Sequence, residues 1–208
     1  MAIRKFITSL LGPLLVLIHL GTPTAADAAE KDARAAFDRL LREAGLRMHR
    51  QTQYIDQPTQ ANAILPYEYA LRHESGALEV RFIVRPLNRI EIEYNDPHNA
   101  APEPNHLFPL LFESITNRLS VGGETATSTF PEAEALDKFN ANWAAASAFD
   151  INPDFAADYR NALIIGMHRN EMADAYTLFL YNDHEQAKLL INEAISIMSF
   201  TPAATTPQ

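Results

Sequence analysis

Residues 67–85 read YEYALRHESGALEVRFIVR, and this stretch decides the fold class. Apolar and polar residues alternate on both sides of Glu74-Ser75-Gly76, a short connection with the glycine that a hairpin often needs. In the second arm the apolar side chains share one strand face and the charged side chains share the other: Val80, Phe82 and Val84 against Glu79, Arg81 and Arg85. Such alternation is typical of an antiparallel sheet with one buried face and one solvated, charged face. The alternation resumes after Pro86 with Ile90, Ile92 and Tyr94.

A second hairpin is predicted near the C-terminus. The apolar runs RNALIIGMH (160–168) and MADAYTLFLY (172–181) have the composition of strands and flank Arg169-Asn170-Glu171. The run at 46–55 predicts an earlier strand. Residues 144–151 (AAASAFDI) fit either a helix or a strand, because propensity and pattern disagree there.

Helices are predicted between these strands. An amphipathic helix covers 29–44 and stops at Gly45, and another covers 108–119 with Pro109 in its first turn. Thr129 and Glu132 have the spacing of a capping box, which predicts a third helix carrying Leu136, Phe139 and Trp143. Asp183 caps a last helix with Leu190, Ile191, Ala194 and Met198 as its buried stripe. The predicted fold class is α+β: an antiparallel sheet with helices packed on it, in a single-domain sandwich.

The N-terminus has the features of a secretory signal peptide. Arg4 and Lys5 precede an apolar run over 6–20, and small residues follow with cleavage expected after Ala26 or Ala28. The alternative is an uncleaved N-terminal anchor. We expect a signal peptide over 1–28, one globular domain over 29–200, a flexible tail over 201–208 and no membrane span, and therefore a periplasmic or secreted protein.

The composition narrows the classes of partner. The formal charge is −9, and removing the signal takes it to −11, or to −10 if Asp27 is removed too. An acidic surface repels nucleic-acid phosphates and anionic lipids, so neither is an expected partner. The chain contains no cysteine, which excludes disulfides and thiolate chemistry.

A proline-rich stretch at 94–106, YNDPHNAAPEPNH, contains the first group of candidate site residues. Asp96, His98 and His106 are of the types that bind zinc, copper or nickel, so this stretch is a candidate metal or ligand site. Proline-rich sequence equally predicts a rigid, solvated connection. Seven residues including two prolines separate the histidines, so we expect a stiff spacer with no tightly bound metal.

The second hairpin supplies the other candidates, His168, Asp174 and Tyr176. Asp174 and Tyr176 lie two apart on one strand face, and together with a histidine they could hold a polar ligand or transfer a proton. The structural alternative is that Asp174 faces solvent or bonds a neighbouring strand. If Asp174 is buried it needs a partner, and His168 across the hairpin is the obvious one.

No strong catalytic or cofactor motif is present. The chain lacks the G-x-S-x-G, G-x-x-x-x-G-K-[ST], G-x-G-x-x-G and H-E-x-x-H patterns, so we expect no cofactor. The run ALIIGMHRNEMADAYTLFLYND (162–183), followed by a capped helix, resembles the end of the Mog1/PsbP-like α/β/α sandwich proteins. The resemblance covers about the last third of the chain and assigns no site residue. It implies a small, non-catalytic accessory protein that acts through partners.

Two hypotheses follow for the function. The first is an exported, non-enzymatic binding or accessory protein with a protein or small-molecule partner, using His98, His106, His168, Asp174 and Tyr176. The second is a metal-binding protein or enzyme that uses the 95–106 loop together with the 168–176 hairpin.

Overall fold

The computed structural model describes residues 25–89, 104–122 and 125–202. A 3-10 turn, Leu87–Arg89, follows the fourth strand. In chain order the helices and strands of this part are α1 (Ala25–Glu43), β1 (Leu46–Met48), β2 (Tyr54–Gln57), β3 (Tyr69–His73), β4 (Glu79–Pro86), α2 (Pro104–Leu119), β5 (Ala126–Thr129), α3 (Glu132–Phe139), β6 (Trp143–Asp150), β7 (Asn161–Arg169), β8 (Ala173–Tyr181), α4 (His184–Ala194) and β9 (Met198–Phe200).

One large antiparallel sheet organises the fold. Its strand order is β2-β3-β4-β8-β7-β6-β5, and β1 pairs with β9 in a separate two-stranded sheet. Both predicted hairpins are present, with Tyr69 opposite Phe82 in the first and Arg169 opposite Ala173 in the second. Gly76 in the first turn has a φ of +74°, a conformation that glycine adopts without strain. The α+β class and the antiparallel sheet are confirmed.

Helices and loops cover both faces of the large sheet. Buried side chains of α1, α3 and α4 pack on the first face, together with β9. Phe108, Phe112 and Leu119 of α2 pack on the second face, and the 151–159 connection covers the rest of it. The arrangement is a sandwich with two hydrophobic cores, one on each side of a shared sheet.

The expectation that one face of β4 would be solvated is wrong. Arg81 is only 8% exposed, and Ile83 on the same face is fully buried. Arg81 Nε bonds Glu79 Oε1 at 2.7 Å, and Nη1 donates to the Phe155 carbonyl at 3.0 Å. The guanidinium also lies 4.7 Å from the centre of the Tyr67 ring. The charged side chains Glu79 and Arg81 therefore pair with each other beneath the 151–159 connection. A buried cation requires such partners.

The expected start of α3 is also wrong. Thr129 is the last residue of β5, and α3 begins after Pro131, at which no side-chain capping bond forms. Asn140 in a left-handed conformation ends the helix, so the chain turns and Trp143 begins β6 instead of continuing the helix. Leu136, expected to be buried, is 57% exposed. Residues 144–150, where the sequence left both alternatives open, are in a strand.

The last helix starts as predicted but ends earlier. Asp183 Oδ1 accepts bonds from the backbone N–H groups of Glu185 and Gln186, which confirms the cap. The helix ends at Ala194, and Met198 lies in β9 and pairs with Met48 of β1. The single strand expected at 46–55 is two short strands, β1 and β2, that belong to different sheets.

Several sequence predictions concern residues outside the described ranges. These are the signal segment up to residue 24, the continued alternation at Ile90, Ile92 and Tyr94, and the tail from 203 onward. Asp96 and His98 lie outside as well. Across the ranges that the structure does describe, no helix is both long and apolar enough to cross a membrane.

Candidate functional site

The candidate site lies where α2 contacts β7 and β8, and Gly166 of β7 makes this contact possible. A Cβ atom on Gly166 would lie 2.5 Å from Phe112 Cδ2 and 3.2 Å from Phe108 Cζ. Real Cβ atoms do not approach other carbon atoms as closely as 2.5 Å, so only glycine lets the two rings rest on the strand. A glycine inside a strand pattern is a known sign of close approach, and it is the signal in the sequence that indicates this contact.

An aromatic cluster surrounds Phe108. Its ring centre lies 4.8 Å from that of Trp143, 5.4 Å from that of His168 and 5.6 Å from that of Tyr176. Phe112 stacks nearly parallel on Tyr176, with an interplanar angle of 8°. These contacts lie within the range in which aromatic pairs attract one another, so α2 is fixed over the end of the second hairpin.

His168 and Asp174 form a buried pair beneath this cluster. They are directly opposite each other in the register of β7 and β8, and His168 Nδ1 lies 2.7 Å from Asp174 Oδ1. Both side chains are 3% exposed. The prediction that a buried Asp174 would pair with His168 across the hairpin is confirmed.

The second ring nitrogen of His168 is also occupied. Nε2 lies 3.1 Å from Asn170 Oδ1. Each ring nitrogen therefore has a protein partner, the Asp174 carboxylate on one side and the Asn170 side-chain amide on the other. A histidine acting as a general base needs a free nitrogen that faces a hydroxyl or a water molecule. The geometry suits a buried pair that fixes the hairpin, because both ring nitrogens are engaged by residues of the hairpin itself.

Tyr176 lies two residues from Asp174 on the same strand face and is 1% exposed. Burial, together with the nearby charge of Asp174, raises the pKa of Tyr176 above its ordinary value. The phenol therefore stays protonated and remains a hydrogen-bond donor. The Tyr176 side chain also lines a cavity.

That cavity, named here the edge cavity, exists because β3 is shorter than β4. The pairing of β3 with β4 ends where Tyr69 is opposite Phe82, and β4 continues to Pro86. The Glu68 carboxylate closes the free strand edge by accepting from Val84 N at 2.9 Å and from Arg85 Nη1 at 2.6 Å. The cavity has a volume of about 470 Å³ and is lined by Leu40, Glu68, Val84, Arg85, Pro86, Arg89, Leu111, Ile115, Asp174 and Tyr176.

A second cavity of about 420 Å³ lies at the N-terminal end of α2. It brings together two of the predicted site residues, His106 and His168, with Asn105, Asn142 and Trp143 beside them. His98, the remaining predicted residue, lies outside the described ranges. No group of three histidine, aspartate or glutamate side chains within the described ranges is arranged to hold a metal ion.

The edge cavity includes residues that the sequence did not single out as site residues. Leu111 and Ile115 were predicted only as part of the helix at 108–119, and Arg85 as part of a solvated strand face. No local motif indicates them, because the cavity results from the unequal lengths of two strands.

The chain has a structural similarity to a known protein. No family model matches the chain, and no curated protein matches it. Among solved structures, the chain is similar to the solution structure of cyanobacterial PsbP (CyanoP) from Synechocystis sp. PCC 6803. The two are 10% identical over 76% of this chain and 88% of that chain, with a TM-score of 0.41. The Mog1/PsbP-like group, which the sequence pattern at 162–183 resembles, takes part of its name from PsbP. No residue role or partner is transferred from it to this chain.

Proposed function

We propose that this protein is a non-enzymatic binding protein whose edge cavity holds a small, neutral, amphipathic molecule. The observation that carries the proposal is the edge cavity itself, which is lined by apolar side chains of α1 and α2 together with Tyr176, whose protonated phenol is a hydrogen-bond donor. Ligand cavities in proteins are mostly apolar, measure about 300–1,000 Å³ and contain a few polar groups that orient the ligand. The edge cavity fits this description in volume and in composition.

The energetic argument rests on the hydroxyl group. The Tyr176 hydroxyl stays protonated, and a ligand that accepts a hydrogen bond from it gains about 0.5–1.5 kcal/mol. A ketone, ester or ether oxygen is a suitable acceptor. The apolar part of the ligand would contact Leu40, Leu111 and Ile115, which form the walls of the cavity on α1 and α2.

The charges around the cavity favour a neutral ligand. Arg85 is paired with Glu68, and Arg89 forms two bonds with Glu43, at 2.7 and 2.5 Å. Asp174 is paired with His168. Because each of these groups already has a side-chain partner, a charged ligand would have to displace an existing ion pair or hydrogen bond, which a neutral ligand does not require.

A fluorescence titration with the naphthalene ketone prodan tests this proposal. Prodan is neutral, has a two-ring apolar body and carries one carbonyl acceptor. We expect saturable binding with a blue-shifted emission, because the probe leaves water. The Tyr176→Phe variant should bind about two- to tenfold more weakly, the effect of one lost hydrogen bond.

Two tryptophan variants of α2 locate the binding site. Ile115→Trp fills the edge cavity and should abolish binding. Leu110→Trp changes a residue that is 65% exposed and does not line the cavity, so it should bind as the parent does. Equal binding by the parent and Ile115→Trp, or no binding by the parent, would refute the proposal.

We also propose that the protein acts after export, with the signal peptide removed after Ala26 or Ala28. Among residues 30–43 of α1 the first buried side chain is Phe37, and residues 30–34 are exposed. Either cleavage would shorten α1 and would leave Phe37 and the residues after it in place. Mass spectrometry of protein from the periplasm or the medium should give an N-terminus at Asp27 or Ala29, and protein retaining Met1 would contradict export.

A further inference from the structure

The strand β5 is one edge of the seven-stranded sheet, with β6 on one side only. Phe130 N donates to Ala144 O at 3.0 Å, so the backbone of Phe130 faces β6. Because pairing alternates along an antiparallel strand, Ser128 and Ala126 face β6, and the backbone N–H and C=O groups of Thr127 and Thr129 point outward. Within the described ranges, no hydrogen bond reaches these outward groups.

In the seven-stranded sheet, the free edges of β4 and β2 are protected, and the free edge of β5 is not. Glu68 and Arg85 occupy the free edge of β4, where Pro86 also removes a donor. The opposite edge strand, β2, carries the inward-pointing Asp56, which is paired with Arg50 at 2.8 Å. Buried charges and prolines are the usual ways in which proteins block strand addition. The β5 sequence, Ala-Thr-Ser-Thr, has neither, and its four residues are exposed.

A groove of about 860 Å³ runs between β5 and α2. Its strand wall consists of Thr125, Thr127 and Thr129. Thr127 Oγ1 bonds Ser147 Oγ at 2.8 Å, which places the threonine side chains on the face that α2 covers. The groove is lined by Pro109, Phe112, Glu113 and Asn117 of α2, by the three threonines and by Trp143.

We propose that β5 binds an extended segment of a partner protein by strand addition. In this mode of recognition, the backbone of the segment pairs with the sheet edge and every second side chain enters an adjacent groove. The segment would pair with Thr127 and Thr129 and place an apolar or aromatic side chain against Trp143. It would also carry a basic residue opposite Glu113, whose carboxylate has no ion-pair partner in the described part of the chain.

The choice of a peptide segment over a small molecule follows from the backbone groups. A row of outward N–H and C=O groups at strand spacing is matched by another strand, whereas a small ligand would leave most of them unpaired. The charge of the groove and the chain's net charge of −9 favour a basic segment over an acidic one.

An array of heptapeptides with the pattern Thr-X-Thr-X-Thr-X-Thr tests the proposal, with X drawn from Val, Phe, Trp, Lys and Arg. We expect the strongest binders to combine one aromatic and one basic X. The best peptide is then made again with N-methyl groups on alternate backbone nitrogens, which keeps the side chains and removes the donors. Its affinity should fall about tenfold or more, as expected for loss of two or more hydrogen bonds.

Variants of the protein test the same surface. Thr127→Pro removes one outward donor at a position where proline is compatible with an edge strand, and it should weaken binding about two- to tenfold, the effect of one lost hydrogen bond. Thr127→Val, with the backbone donor intact, is the matched control. Glu113→Lys should reverse the preference for basic peptides. Circular dichroism and prodan binding verify that each variant is folded, and if Thr127→Pro does not fold, the N-methyl comparison tests the same point.

Amide hydrogen exchange shows where the peptide binds. Bound peptide should slow exchange at Thr127 and Thr129. No binding in the array, or binding unchanged by N-methylation and by Thr127→Pro, would overturn the proposal. Protection of β5 that grows with protein concentration without peptide would assign the edge to a second copy of the chain and would overturn it too. Prodan binding is independent of these results, so the two proposals can fail separately.

Discussion

The contact of Gly166 with α2 leads to a quantitative prediction for Gly166→Ala. The new Cβ would lie 2.5 and 2.7 Å from two atoms of the Phe112 ring. Ordinary contact begins at 3.4 Å, so the ring and α2 must move by about 0.9 Å. Added volume in a packed core costs about 1–3 kcal/mol. Alanine is favoured over glycine in a strand by about 0.5–1 kcal/mol, so the expected net loss of unfolding free energy is about 1–2 kcal/mol.

Urea unfolding measures this loss. Trp143 is the chain's one tryptophan and contacts both Phe108 and Phe112, so its fluorescence reports directly on the position of α2. Far-ultraviolet circular dichroism gives an independent transition. Movement of α2 also changes the wall of the edge cavity, so prodan affinity should fall in the same variant.

The Phe112→Ala background tests the cause of the loss. Without the ring, the Cβ of Ala at position 166 no longer meets Phe112, and only the 3.2 Å contact with Phe108 remains. Gly166→Ala should then be neutral or stabilising by up to about 1 kcal/mol, the upper end of the intrinsic preference for alanine. The same loss in both backgrounds would refute the assignment of the cost to the Phe112 contact.

Three further predictions concern buried polar groups and one helix cap. Arg81→Met leaves Glu79 and the Phe155 carbonyl without their partner and should cost about 3 kcal/mol in urea unfolding. The Tyr54 hydroxyl is buried without a hydrogen bond in the described chain, and burial, with the nearby charge of Glu193, raises its pKa to about 12. The raised pKa contributes to the free energy of unfolding in full below about pH 10, and this contribution is lost as the pH rises towards 12. The Tyr54→Phe variant should therefore lose less stability than the parent between pH 9 and 11.5. Asp183→Ala removes two capping bonds of α4 and should lower stability by about 1 kcal/mol.

Each of these predictions has a contradicting result. A loss below about 0.5 kcal/mol for Arg81→Met, the value of a surface change, would mean that the pair is effectively solvated. Parallel pH curves for the parent and Tyr54→Phe would show that the phenol does not titrate differently on folding. An Asp183→Asn variant as unstable as Asp183→Ala would contradict a capping role, because asparagine caps nearly as well as aspartate.

The strands could be predicted because their side-chain alternation is local. Each hairpin needs only a period of two and a turn, and both are written in consecutive residues at 67–85 and 160–181. The His168–Asp174 pair could be predicted for the same reason, since six residues and one turn separate the two side chains. The structure of this part of the chain follows from short-range patterns.

The second face of the sheet could not be predicted in this way. Arg81 and Glu79 have the same alternating pattern whether water or protein covers them, and the cover comes from Phe155 and Tyr159, more than 70 residues later. The edge cavity depends likewise on where β3 stops relative to β4. Thr129 and Glu132 match a capping box in spacing, but pairing of Thr129 with Ala145 of β6 prevails over the local signal.

The most direct test of the binding proposal is a crystal structure of the protein with prodan bound. The proposal predicts the naphthalene body between Leu111 and Ile115 in the edge cavity, with the carbonyl oxygen about 2.7–2.8 Å from the Tyr176 hydroxyl oxygen. Prodan bound elsewhere, or bound in the cavity with its carbonyl turned away from Tyr176, would contradict the central claim.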